Sequence, residues 1–255
     1  GKYIMINSLY ESYKRWSKTG GVYLISDPHF EDSDTKLMNP NWIAPEDYLE
    51  RINQMIHKPD TLICLGDCGD LTYFQRMKAG YKILIKGNHD NKGDYFYKRA
   101  TKKEIYDADE ITRAEVMKKV KEENPNHLIT IWESHEFHAP FHRWNVKIDN
   151  NLFDEVYSGP LFIGEKLLLS HEPVNGLLFC LNIHGHCHNY HYDYTDHQGG
   201  RHLNIAADVV GYQPVELGKL IKCGAISGLP TIHRLTIDYA KENPIHNIMN
   251  DKPNR

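Results

Sequence analysis

Short apolar runs, each closed by Gly, Asn, Asp or His, set the rhythm of this chain. Residues 22–26 (VYLIS), 61–65 (TLICL) and 81–86 (YKILIK) predict strands. Between the first two, Pro45 with Glu46 and Asp47 opens a helix, and Leu49, Ile52, Met55 and Ile56 form its apolar face. Residues 71–79 predict a short helix that Gly80 stops. Three strand–helix steps in a row predict a parallel core sheet. Near the start, Ser8-Leu9-Tyr10-Glu11 has capping-box spacing and predicts a short helix carrying Leu9, Tyr13 and Trp16.

The middle of the chain changes character. Residues 98–125 are rich in charge and read as a solvated helix with a thin apolar stripe at Ile105, Ile111, Val116 and Val120. After Pro125 the β-like runs return at 128–132, 152–157, 161–163, 166–170, 177–183 and 202–206, punctuated by Gly, Pro and Asn. Residues 234–240 predict a last strand, and the tail from about 243 is expected to fray.

Composition narrows the classes. The 255 residues are enough to bury a sizeable core, and nothing in them demands two domains. A net charge of -4 argues against a chain that binds nucleic acid by charge alone. Five scattered cysteines, at 64, 68, 180, 187 and 223, argue against a disulfide framework and for a reducing compartment. No signal peptide or long apolar span is visible, so a cytoplasmic protein with no membrane partner is expected. Histidine is abundant, at 16 residues, which suits a metal site.

The chemistry collects where the strands end. Asp27 and His29 follow the first run, and in extended chain i and i+2 point the same way. Asp67 follows the second run, with two carboxylate oxygens that can bridge cations. Gly87-Asn88-His89-Asp90 follows the third. His171 ends the run at 167–170, and His186 and His188 share i, i+2 spacing after 181–183. In parallel α/β sheets, sites form outside the carboxyl ends of the strands. The donor order therefore points to a two-metal hydrolytic site. A zinc-only structural site from His184, His186, Cys187, His188 and His191 competes with it, but leaves the first three segments unexplained.

Taken in order, Asp27-Pro28-His29, Gly66-Asp67-Cys68-Gly69-Asp70, Gly87-Asn88-His89-Asp90, His171 and Gly185-His186-Cys187-His188 resemble the motifs of the calcineurin-like metallophosphoesterases. Residues 203–215 look like the closing strand and loop of small bacterial members. The resemblance implies an α/β fold, a four-layer α/β/β/α sandwich, over a single domain spanning 1–255. The region 98–157 has no family counterpart and reads as an insert. The resemblance also implies two divalent or trivalent transition-metal ions (Mn, Fe, Zn or Ni). One would be held by Asp27, His29, Asp67 and His188. The other would be held by Asp67, Asn88, His171 and His186, with Asp67 bridging. A hydroxide held by the metals would attack a phosphomonoester or phosphodiester, and His89, partnered by Asp70, would stabilise or protonate the leaving oxygen. A nuclease whose insert at 98–150 guides a strand is the alternative for the substrate. A non-catalytic scaffold of the same fold is a further one. The sequence leaves the oligomeric state open.

Two features lie beside these motifs. Cys68 and Cys187 sit inside ligand motifs, where they either pack as small apolar groups or make the site sensitive to thiol reagents. Residues 132–144 (WESHEFHAPFHRW) read either as a surface hairpin covering a core edge or as a lid over the metals, with Arg143 or a histidine meeting phosphate. A third metal on His135, His138 and His142 is disfavoured, because their spacing is helical and Pro140 interrupts a helix.

Overall fold

Residues 20–135 and 141–243 are described by a computed structural model. The helix expected at Ser8 and the tail beyond 243 lie outside the described residues. The chain runs β1 (Val22–Ile25), α1 (Ser33–Met38), α2 (Pro45–Met55), β2 (Thr61–Cys64), α3 (Thr72–Gln75), β3 (Tyr81–Ile85) and α4 (Asp94–Tyr97). A separate group follows: β4 (Thr101–Asp107), α5 (Arg113–Glu123), β5 (Leu128–His135) and β6 (His142–Asp149). The chain returns through β7 (Glu155–Tyr157), β8 (Leu161–Ile163), β9 (Leu167–Leu169), β10 (Leu181–His184), β11 (Asp193–Thr195), β12 (Arg201–Asn204) and β13 (Val215–Glu216). It then enters α6 (Leu217–Lys222) and α7 (Ile232–Glu242).

The first sheet has the order β13-β1-β2-β3-β7, and its pairs from β1 to β7 are parallel, as the strand–helix alternation predicts. Its central strands β1, β2 and β3 are mostly apolar because both faces are buried, with Lys82 of β3 a buried exception. Ile25, Leu62, Cys64 and Leu84 face a cluster with Leu49, Ile52 and Ile56 of the α2 region and Phe74 of α3. Val22, Leu24, Ile63 and Ile83 face the other way, into a cluster shared with Leu167, Leu169, Leu181, Ile183 and Leu203. Those residues belong to the second sheet, ordered β11-β12-β10-β9-β8, whose β9, β10 and β12 are parallel. The two sheets thus pack face to face through one apolar layer. A parallel bridge from Ser26 to Ala206 joins them at their carboxyl ends.

This group builds a sheet of its own. Strands β4, β6 and β5 pair antiparallel, and α5 covers one face through Val116 and Val120 against Ile131, Val146 and Ile148. Thr112 and Glu115 cap α5 as a reciprocal capping box. Arg99, just before β4, pairs with Asp149 at the end of β6 at 2.9 Å.

Two expectations are corrected. Residues 101–107 form a strand, not the first part of a charged helix. Seven consecutive pairings with β6 outweigh the local charge pattern, and Ile105 is exposed rather than part of the apolar stripe. Residues 234–240 lie in α7, not in a strand. Thr231 caps that helix by accepting the Arg234 N–H, and Arg234 pairs with Asp238 one turn on.

Candidate metal centre

The loops after β1, β2 and β10 turn by means of backbone that side chains rarely adopt. Asp27 (φ 53°), His29 (φ 41°), Asp67 (φ 55°) and His186 (φ 65°) all have left-handed conformations. Such residues are uncommon away from glycine and cluster at functional sites. The extended i, i+2 geometry expected for Asp27 and His29 is therefore not what aims them. Two glycines allow the loops to close. A Cβ at Gly185 would lie 2.0 Å from Asp27 Oδ2, and one at Gly87 would lie 2.2 Å from Asp67 Oδ1.

These turns gather two donor groups that could hold a metal ion: Asp27, His29 and His188, and Asp67, His171 and His186. Asp27 Oδ1 and His29 Nε2 are both buried without a hydrogen-bond partner among the described residues, and lie 3.8 Å apart. His188 Nε2 is also 3.8 Å from Asp27 Oδ1. In the other group, His171 Nδ1 meets the Leu65 carbonyl at 2.9 Å, which assigns a proton there and leaves the Nε2 lone pair to bind a metal. That Nε2 lies 2.8 Å from Asn88 Oδ1, 3.2 Å from His186 Nδ1 and 3.3 Å from Asp67 Oδ2. Lone pairs this close need a shared cation or proton between them. Asp67 Oδ2 is also 3.5 Å from His29 Nε2, so one oxygen faces both groups. The donor chemistry fits transition metals, because it mixes imidazole, carboxylate and amide.

The supporting shell was only partly visible in the sequence. Asp90, quoted there but given no role, is buried, accepts the N–H groups of Asp67 and Gly87 at 2.8 Å and that of Cys68 at 3.0 Å, and so welds two ligand loops. Asp208 was missed. Its Oδ1 meets His188 Nδ1 at 3.0 Å and its Oδ2 accepts from Asn189 N at 2.7 Å. The signal for it was present, since Asp208 follows β12 as the other donors follow their strands. Ser26 Oγ and the His186 N–H both donate to Asp27 Oδ2.

Electrostatics follow from this crowding. Burial pushes the Asp27 carboxyl up and the His29 imidazole down. Burial works against the charge on Asp67 as well, but the hydrogen bond from His171 brings its carboxyl below the usual range. Burial also opposes charge on His171, and the Asp67 and Asp27 carboxylates override it and raise the imidazole to about 9. The hydrogen bond to Asp208 raises His188. Both carboxylates thus hold positive charge in place, as they would hold a cation.

The remaining candidates lie around this core. His89 is exposed, its ring edge-on to His29 with centroids 5.3 Å apart, and its N–H donates to Asp67 Oδ1 at 2.9 Å. Asp70 is exposed and accepts from Thr72 N at 2.9 Å; among the described residues no hydrogen bond joins it to His89. Cys68 is buried and Cys187 half-buried, burial pushes both thiols up, and all five cysteines are free. His184 turns away from the donors: its Nδ1 meets the Gly185 carbonyl and its Nε2 the Tyr194 hydroxyl. His186 and His188 go to different donor groups, which breaks up the competing zinc-only cluster. A cavity of about 330 Å³ opens beside Asn88 and His171, lined also by Lys86, Ser158 and Glu172. A second, of about 230 Å³, opens beside His29, lined by Trp42, Tyr48 and Tyr212.

A model of the calcineurin-like phosphoesterase family matches residues 21–210. No curated protein matches the sequence. Among solved structures, a protein of unknown function from Aquifex aeolicus is similar at 18% identity and a TM-score of 0.45, over 80% of this chain and 98% of that chain. No helix among the described residues is long and apolar enough to cross a membrane.

Proposed function

This chain belongs to the calcineurin-like phosphoesterase family, and from that premise we propose that it is a dinuclear metal-dependent phosphoesterase. Asp27, His29, Asp67 and His188 would hold one ion, and Asp67, Asn88, His171 and His186 the other. The observation that carries this reading is the position of Asp67 Oδ2, 3.5 Å from His29 Nε2 and 3.3 Å from His171 Nε2. Mn, Fe, Zn or Ni suits such donors, and two such ions would supply an acidified water and a clamp for phosphate oxygens.

The chain's own groups do the rest. Asp208 and the Leu65 carbonyl fix the rings of His188 and His171, so that each presents Nε2. His89, exposed at the edge of the donors, stabilises the leaving oxygen or gives it a proton at the imidazole. Its partnership with Asp70 rests on the family pattern. The two cavities beside Asn88 and His29 receive the groups attached to phosphorus. The two-sheet core with α2 and α3 against it is read as the family's four-layer sandwich, in one domain that carries 98–157 as an insert. Within the insert, Lys102 pairs with Glu104, and Lys119 lies over the Tyr106 ring.

Manganese-reconstituted protein assayed on an aryl phosphate monoester, an aryl diester and a single-stranded oligonucleotide tests this reading. Hydrolysis of one of the aryl esters, abolished by Asp67→Ala, is expected. Cleavage of the oligonucleotide alone would move the substrate to nucleic acid, and no turnover of any member would overturn the enzyme reading.

A further inference from the structure

Outside the proposed dimetal centre, three side chains converge where β5 ends and β6 begins. We infer that Glu133, His135 and His142 form a separate zinc site that staples strands β5 and β6 together. Helical spacing interrupted by Pro140 disfavours a third metal here only where these histidines share a helix. His135 and His142 do not share a helix. His135 ends β5, His142 begins β6, and the two are direct partners across an antiparallel ladder. His138 lies outside the described residues.

Strand geometry explains the convergence. Alternation puts Glu133 and His135 on one face of β5, and the residues opposite them, Trp144 and His142, face the same way. That face is the one α5 covers further along, where Ile131 and Val146 are buried. Beyond the helix the row turns polar. One ligand atom from each of Glu133, His135 and His142 lies within 4.8 Å of the others. The two imidazole centroids are 3.8 Å apart, with the rings at 66°. The Glu133 carboxylate touches His142 Nδ1.

A simple surface ion pair accounts for Glu133 and His142 but not for the second imidazole packed against the first. Two imidazoles and one carboxylate are a zinc donor set that leaves a fourth position for water. Donors about 2.0–2.2 Å from a zinc stand about 3.4 Å from each other, so exposed side chains reach that geometry by torsion without moving the strands. The site shares no residue with the two donor groups at the ends of β1, β2, β9 and β10, so the two readings stand or fall apart.

Equilibrium dialysis of the full chain against zinc, with metal counted by elemental analysis, tests this. The Asp67→Ala protein is expected to keep one zinc per chain, and adding His135→Ala and His142→Ala is expected to remove it. Glu133→Gln, which keeps the shape of the side chain, should weaken that zinc at least tenfold, and carries the test if the double histidine variant does not fold. Thermal melting gives a second readout: zinc should raise the midpoint of the Asp67→Ala protein and leave that of the triple variant unchanged. If Asp67→Ala retains no zinc, or if the hairpin variants bind as much zinc as tightly as their parent, the site is only a surface cluster and the inference is wrong. If Asp67→Ala instead loses no metal relative to the unaltered chain, the dimetal reading fails while the hairpin comparison still stands.

Discussion

Asp208 Oδ1 sits 3.0 Å from Nδ1 of His188, on the side of the ring away from the other donors. A carboxylate in that position fixes the tautomer that offers Nε2 to a metal and raises the basicity of the ring. Asp208→Ala should therefore weaken the ion shared by Asp27, His29 and His188 by about 10–100-fold, with the other ion little affected. Metal titration of the apo protein with manganese, fitted to two sites, reads this directly. Two unchanged affinities would leave Asp208 a purely structural residue that holds the Asn189 backbone.

Asp67 should be irreplaceable in a different way. Its Oδ2 faces both donor groups, so Asp67→Ala is expected to lose both ions of the centre, whereas His188→Ala should mainly weaken one. Elemental analysis after reconstitution with manganese measures both. A variant lacking Asp67 that still holds two manganese ions would show that no bridge exists.

His89 should matter for turnover and not for metal content. His89→Ala is expected to lower kcat by about 10²–10⁴-fold on an alkyl ester, with less loss on an aryl ester whose leaving group needs no proton. Asp70→Asn tests the proposed partnership. The amide can still accept from Thr72 N–H, so only the charge is removed. If Asp70 acts through His89, the double variant should be no slower than His89→Ala alone. Independent, multiplying losses would separate the two residues.

Lys82 gives a pH prediction away from the metals. It is fully buried, and its Nζ donates to the Phe74 carbonyl at 2.8 Å and to the Asn151 carbonyl. Burial lowers its ammonium from 10.5 to about 7. The unfolded chain keeps that proton up to 10.5, so between pH 7 and 10.5 the unfolded state binds more protons than the folded one. Stability should then rise with pH across this window, by at most about 1.4 kcal/mol per unit from this group. Lys82→Met should remove that contribution while losing the two hydrogen bonds. Urea midpoints at a series of pH values above neutrality, compared between the two proteins, decide it: parallel slopes would mean that Lys82 keeps its ordinary affinity for the proton.

How much of this was legible beforehand depended on how local the cause was. Strands β1, β2 and β3 and helix α2 follow from neighbouring residues, because burial on two faces demands a continuous apolar run and a helix face demands a spacing of three and four. The donor residues were legible for the same reason, each standing just after such a run. Helix α7 was misread although its signal was local: Thr231 as cap and Arg234 with Asp238 were in plain view. Strand β4 was not legible, because its charged residues become a strand only by pairing with β6 more than thirty-five positions later.

Sequence alone determined which atoms are available for chemistry, since the carboxylates and imidazoles at the strand ends are fixed by residue identity and order. Their aim was decided in three dimensions. Left-handed turns at Asp27, His29, Asp67 and His186 point the side chains, and packing of two sheets brings β12, with Asp208 behind it, against loops from β1 and β10. The pairing of His135 with His142 is of the same kind. A spacing of seven residues looks helical along the chain and becomes a face-to-face contact only when a hairpin folds it, because register belongs to the pair of strands and not to either one.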